Sequence, residues 1–163
     1  AADAHLVTDI ALHPDARAIG WEISQLGSIT KRTHWDAGCA RTRTRLRVGE
    51  RLLWVEQGAV GAQDPIRHRI TGLDGQPVYA NLWCFGPRRD RARLDALTDT
   101  LPWSDHLRAG MTIMRYDEAK ALYLLRATGL HAEDVRNLLI RSWLHLRKHV
   151  LDVPATPLRL WRT

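Results

Sequence analysis

The chain has 163 residues, of which 45% are hydrophobic and 26% are charged, and its formal net charge is +6. This composition is typical of a soluble globular protein, and no apolar run approaches the roughly 20 residues that cross a bilayer. We expect one domain over residues 1–163, large enough to bury a core. Because the chain begins with alanine instead of methionine, we expect processing or a piece of a longer protein.

The cysteine content indicates the redox compartment of the protein, and the charge distribution indicates whether it binds nucleic acid. The two cysteines form no CxxC motif, which favours a reducing, cytoplasmic compartment over a disulfide framework. The positive charge is spread along the chain and is not gathered into one tail. This spread favours a generally basic protein over one that binds nucleic acid.

The first half of the sequence is predicted to form strands. Residues 6–12 and 18–26 contain short alternating apolar runs, and His13-Pro14-Asp15 forms a turn between them. The clearest hairpin spans residues 41–57. Its Gly49-Glu50 loop has glycine at the first central position, as a type II′ turn prefers.

The hairpin loop predicts a register that places Arg45 opposite Trp54 and Arg43 opposite Glu56. One face of the hairpin would then contact solvent and the other would contact the core. The solvent face comprises Arg41, Arg43, Arg45, Arg47, Leu52, Trp54 and Glu56. The core face comprises Thr42, Thr44, Leu46, Val48, Leu53 and Val55.

The row of arginines allows two interpretations. With a carboxylate and an indole opposite it, the row is a solvated, partly self-neutralised strand face, and we favour this interpretation. The alternative is a basic nucleic-acid-binding β module, in which Arg41 to Arg47 contact phosphates and Trp54 stacks on bases.

The second half continues with strands and then becomes helical. Residues 78–85 form a strand in which Cys84 lies on a core side, so it is a small buried hydrophobic residue and not a ligand. Residues 88–101 form a short helical connector. Two further strands at residues 111–116 and 121–128 are joined through a turn at Asp117-Glu118.

A long amphipathic helix is predicted from Ala132 to about Leu151. Its buried face follows the three-to-four spacing of a helix and comprises Val135, Leu138, Leu139, Trp143, Leu146 and Val150. A second apolar stripe contains Ile140, Leu144 and Leu151, with Arg147 beside it. A second stripe is either buried by the same domain or covered by a partner protein. These four residues are the partner-binding candidates.

The sequence contains none of the motifs that would specify a reaction. It has no phosphate-binding glycine loop, GxSxG, HExxH or CxxC motif, so we expect no enzyme. His145 and His149, four residues apart on the helix, are weak metal-ligand candidates, because a typical site needs further ligands. The favoured alternative is two histidines at a helix edge, stabilised by the helix dipole.

The order and spacing of several segments resemble the urease accessory proteins of the UreD/UreH family. The likeness extends from Ala18 to the last residue. The stretch from Ser28 to Trp35 departs from it, because the family's arginine and Gly-Glu pair are missing there. The matching segments are Trp21 to Gly27, Trp35 and Gly38, Leu52 to Glu56, Gly72 to Val78, Leu124 to Arg126, Trp143 with Leu146 and Arg147, and the ending Pro157-Leu158-Arg159-Leu160-Trp161-Arg162-Thr163.

This resemblance implies a mainly β, α+β fold. Antiparallel or β-helical-type sheets would be joined by a short connector helix and followed by the long C-terminal helix. The chain would be the C-terminal portion of such a protein. The resemblance further implies a scaffold that binds the urease structural subunits and the other accessory proteins, including a nickel-handling GTPase. It implies no resident cofactor, although nickel passes transiently.

Overall fold

The computed structural model describes residues 2–27 and 35–156. The predicted fold class is confirmed, because strands predominate and two helices are present in these ranges. No helix among the described residues is long and apolar enough to cross a membrane. The elements of the described ranges are β1 (Ala2–Leu12), β2 (Ala18–Gln25), β3 (Gly38–Val48), β4 (Arg51–Gly61), a 3-10 helix (Pro65–Arg67), β5 (Val78–Pro87), α1 (Ala92–Thr98), β6 (Leu107–Arg115), β7 (Lys120–Gly129) and α2 (Ala132–His149).

The chain divides into two compact units. The first comprises Ala1–Ala16 and Gln25–Pro77, and the second comprises Arg17–Ser24 and Val78–Thr163. Each unit contains its own sheet. The single domain predicted over residues 1–163 stays a prediction.

The first unit contains a three-stranded sheet in the order β1-β3-β4. Strand β1 runs parallel to β3, and β3 pairs antiparallel with β4. The predicted tight turn is confirmed, since Val48 lies opposite Arg51 and Gly49 has φ +56°. A positive φ is what the first central position of a type II′ turn requires, and glycine adopts it without a steric penalty.

The predicted register is wrong beyond the first two residue pairs of this hairpin. An irregularity between Leu46 and Arg47 shifts the pairing, so that Leu46 lies opposite Trp54 and Arg45 lies opposite Val55. An extra residue of this kind reverses the faces of every residue that follows it on one strand. The predicted Arg45–Trp54 and Arg43–Glu56 pairs therefore do not form.

The shifted register exchanges two residues between solvent and core. Trp54, predicted on the solvent face, is only 5% exposed, whereas Val55, predicted in the core, is 47% exposed. Other core predictions for this hairpin are confirmed, because Thr44, Leu46, Val48 and Leu53 are buried.

The second unit is built on a four-stranded sheet in the order β2-β5-β7-β6. Strand β7 lies between β5 and β6 and is antiparallel to both. The prediction for Cys84 is confirmed, because its side chain is fully buried and this burial raises the pKa of its thiol. The core residues that share its side of β5 are Val78, Ala80 and Leu82.

Helix α2 packs against β5 and β7, and α1 packs against α2. All six residues of the predicted buried face are buried. Acidic Glu133 and Asp134 occupy the first turn and Arg147, Lys148 and His149 the last, which complements the helix dipole. The helix ends at His149, close to the predicted end.

Ser142 is a polar residue on the buried face of α2. Its side chain is fully buried, and its hydroxyl has no hydrogen-bond partner among the described residues. An unsatisfied buried hydroxyl has a desolvation penalty that alanine avoids.

We expect Ser142→Ala to raise the free energy of unfolding by about 1 kcal/mol, measured by urea denaturation. A decrease would show that the hydroxyl is satisfied.

Candidate partner-binding surface

The outward side of α2 is the candidate partner-binding surface. Ile140, Leu144 and Arg147 are all half-buried, so each presents part of its side chain to solvent. Leu144 also packs against the core of the second unit, whereas Ile140 lies outside that core cluster. Of the three apolar residues of the stripe, Ile140 is therefore the one that contributes least to the packing of this core.

Leu151 belongs to the core and not to this surface. It is 3% exposed and is a member of the core cluster. It packs so closely on β5 that a Cβ atom at Gly86 would lie 2.6 Å from Leu151 Cδ2. The reason is that Leu151 follows the end of the helix, where the chain turns back towards the sheet. The partner-contact prediction for Ile140, Leu144 and Arg147 stays a prediction.

Arg147 is held in place by two contacts. Its guanidinium lies over the ring of Trp143, 4.8 Å from the centroid, and its Nε donates to the carbonyl oxygen of Pro154 at 2.8 Å. A cation–π contact and a hydrogen bond reduce the rotamers available to this long side chain. A partner that binds Arg147 would therefore lose little side-chain entropy on ordering it.

Two arginines close the C-terminal end of α2. Arg17 Nη1 donates to the carbonyl oxygen of Leu151 at 2.8 Å, and Arg89 donates from Nε and Nη2 to that of Val150 at 3.1 and 2.9 Å. Arg89 also pairs with Asp152, which has a positive φ of 53°. The last carbonyls of a helix have no partner within it, so these charged donors satisfy groups that would otherwise be left unpaired.

We expect Arg89→Ala to lower the free energy of unfolding by about 1.5–3 kcal/mol, the usual contribution of a hydrogen bond from a charged donor. Amide exchange in the last turn of α2 should also become faster. Arg91→Ala is the matched control, because the Arg91 side chain is 94% exposed and pairs with Asp95 at 3.5 Å. Equal effects of both substitutions would contradict the anchoring role of Arg89.

The two histidines near the end of α2 lie side by side. Their ring centroids are 4.5 Å apart, and His145 Nε2 lies 2.9 Å from the carbonyl oxygen of Arg93. Burial lowers the pKa of His149, and the neighbouring His145, Lys148 and Arg93 lower it further. No group of three or more potential metal ligands occurs within the described ranges. The metal-ligand role of His145 and His149 stays a prediction.

The lowered pKa of His149 predicts a dependence of stability on pH. In the folded state His149 binds its proton less readily than in the unfolded state, so stability falls as pH decreases through about 6.5, the ordinary pKa of histidine. We expect His149→Gln to make unfolding midpoints less dependent on pH around this value. An unchanged pH dependence, measured in parallel urea titrations, would contradict a lowered pKa.

The arginine face of β3 is partly neutralised by Asp9 on the neighbouring strand β1. Asp9 on β1 accepts from Arg45 Nε at 2.6 Å and from Nη2 at 3.0 Å. This hydrogen bond from Arg45 is the main reason that the pKa of Asp9 is lowered. The prediction of a partly neutralised face thus holds with a different carboxylate. The stacking role for Trp54 is wrong, because the buried indole cannot contact a base.

Two sequence segments that were compared with the family fall outside the described residues. These are the departing stretch at positions 28–34 and the closing segment at positions 157–163. The matching segments on β2, β4, β5, β7 and α2 lie in the described ranges.

Comparison with known proteins gives one consistent family. The family model described as UreD urease accessory protein matches residues 1–162. The urease accessory protein UreD of Bordetella pertussis is 48% identical over 162 residues, which are 99% of this chain and 57% of that protein. The UreD proteins of Cupriavidus necator and Polynucleobacter asymbioticus are 37% and 32% identical, over 99% and 98% of this chain and 56% and 54% of their own lengths. The chain therefore spans little more than half the length of these relatives.

Proposed function

Because the chain belongs to the UreD urease accessory protein family, we propose that it acts in the maturation of urease as a binding scaffold. The family match over residues 1–162 is the observation that carries this proposal. In this role the chain binds the urease structural subunits and other accessory proteins, including a nickel-handling GTPase. It assists nickel incorporation in the cytoplasm without catalysing a reaction itself.

The proposed contact surface is the outward side of α2. A partner that covers Ile140 and Leu144 buries apolar area at about 25 cal/mol per Å². Arg147, already fixed over Trp143, supplies a charged donor at the edge of this patch. Arginine is one of the residues that most often dominate the binding energy of protein interfaces. Nickel is cargo in this proposal, and His145 and His149 are the residues of this helix that could contact it.

Co-purification tests the proposed role. The full 163-residue chain, tagged and co-expressed with a urease operon, should retain the urease subunits and the other accessory proteins. A full-length UreD relative, tagged in the same way, is the positive control. If the relative retains these proteins and this chain does not, the scaffold role is wrong for this chain.

We expect Ile140→Asp to reduce retention of the accessory proteins by about tenfold or more, because it places a charge in an apolar contact. The thermal unfolding midpoint of each variant is measured as well, because Ile140 is half-buried and its substitution also affects stability. Ile70→Asp is the matched control, because Ile70 is 78% exposed and the chemical change is the same. Equal retention by the two variants would exclude Ile140 from the contact surface.

A further inference from the structure

A groove separate from the proposed α2 surface lies over strand β6, beside α1. Its volume is about 560 Å³, enough for several side chains. Met111 and Ile113 form part of its floor, and Arg88, Arg91 and Arg115 form part of its rim. These residues all belong to the second unit.

The groove exists because the helical layer ends before the sheet does. The groove is lined by every second residue of β6, namely Met111, Ile113 and Arg115. Residues two apart on a strand project from the same side of the sheet. Helix α2 packs on β5 and β7, and α1 lies beside α2. Met111 packs against the core, but Ile113, further along the strand, is 48% exposed. An apolar strip thus continues from the core to a position that α1 does not cover.

The rim carries an excess of positive charge. Four arginines and one carboxylate, Asp95, line the groove. Arg91 pairs with Asp95, and Arg89 pairs with Asp152, which is not part of the lining. Glu118, an exposed residue, lies 3.6 Å from Arg88 (Nη1 to Oε2) and also pairs with Arg115. Two arginines of the rim thus already converge on a carboxylate. Ion pairs this exposed contribute little free energy, so a carboxylate from another protein can replace Glu118 at small cost.

We propose that this groove binds an acidic amphipathic helix of a partner protein. Its apolar side chains pack on Met111 and Ile113, and its carboxylates lie between Arg88, Arg91 and Arg115. Such a helix would continue the layer formed by α1 and α2 over the uncovered part of β6. Charge complementarity at the rim gives the interaction its specificity and its dependence on salt.

The lining of the groove favours a peptide over a nucleic acid. An apolar floor gains free energy from aliphatic side chains, whereas it cannot replace the water lost by a phosphate. Single-stranded nucleic acids usually stack their bases on aromatic side chains. The described residues that line this groove include no aromatic side chain.

Fluorescence anisotropy on the full chain tests the proposal without any urease component. The probe is a labelled peptide of about 15 residues that becomes helical when it binds, with leucines and glutamates spaced to fall on opposite faces of that helix. We expect saturable binding that weakens as salt is raised. The same peptide with glutamine at every glutamate should bind about tenfold more weakly or worse. Equal binding of the two peptides, or no binding of the glutamate peptide, would overturn the proposal.

Variants locate the binding site. Ile113→Asp and the double variant Arg88→Glu/Arg115→Glu should each weaken binding of the glutamate peptide by about tenfold or more. Ile70→Asp should bind normally, as the matched control in the other unit. If the charge-reversed protein unfolds, Arg88→Gln/Arg115→Gln provides a milder change. Normal binding by Ile113→Asp and by the folded arginine variant would overturn the assignment to this groove.

Two further arms separate the proposal from its alternatives. A single-stranded and a duplex oligonucleotide, tested under the same conditions, should bind more weakly than the glutamate peptide. If either binds more tightly and loses affinity in the Arg88/Arg115 variant, the groove is a nucleic-acid site and the proposal is wrong. Ile140→Asp should bind the peptide normally. Failure at α2 and failure at the groove are therefore distinguishable.

Discussion

The burial of one face of α2 against β5 and β7 is the interaction on which the second unit depends. Five large apolar residues of this helix are withdrawn from water, and the helix packs on the strands that form the middle of the sheet. The helix alone, with 18 residues, would be marginal in water, so its stability comes from this packing. Packing also fixes which residues of α2 remain outside, and thereby places Ile140 and Arg147 on the solvent side.

The same packing determines the path of the chain after the end of α2. The chain must turn back sharply, because Val150 and Leu151 are both drawn into the core. That turn leaves the carbonyl oxygen of Val150, just past the helix, close to the end of β5, where Arg89 donates to it. One side of the molecule thus combines an apolar helix face with an ordered set of arginines.

Much of the architecture could be predicted from periodicity, whereas the details that depend on distant partners could not. The face of α2 and the turn at Gly49 follow from local rules, and the structure has both. The irregularity between Leu46 and Arg47 could not be predicted from alternation. It leaves two consecutive residues, Leu53 and Trp54, both buried, whereas a regular strand would bury only one of them. The pairing of Asp9 with Arg45 depends on β1 running parallel to β3, which strand patterns alone do not reveal.

The candidate sites also combine features that follow from local sequence rules with features that depend on distant parts of the chain. The second stripe of α2 could be read from a helical wheel, yet Leu151 lies past the end of the helix, where the wheel no longer applies. The role of Arg89 cannot be recognised in the sequence, because its partners are the backbone carbonyl of Val150, 61 residues away, and the carboxylate of Asp152. The groove over β6 was also missed. It depends on where α1 stops relative to the sheet, and α1 has only seven residues.

The course of the chain through the two sheets has a consequence for how this protein can be divided. Strand β2 belongs to the four-stranded sheet, although β1 before it and β3 after it belong to the other sheet. The chain therefore passes between the units three times, after Ala16, after Ser24 and after Pro77. No single cut releases either unit with all of its strands. Strand β2 must also find β5 across more than 50 intervening residues, and long-range pairing of this kind slows folding. Any fragment that begins after β2 would therefore leave β5 at an open edge of its sheet.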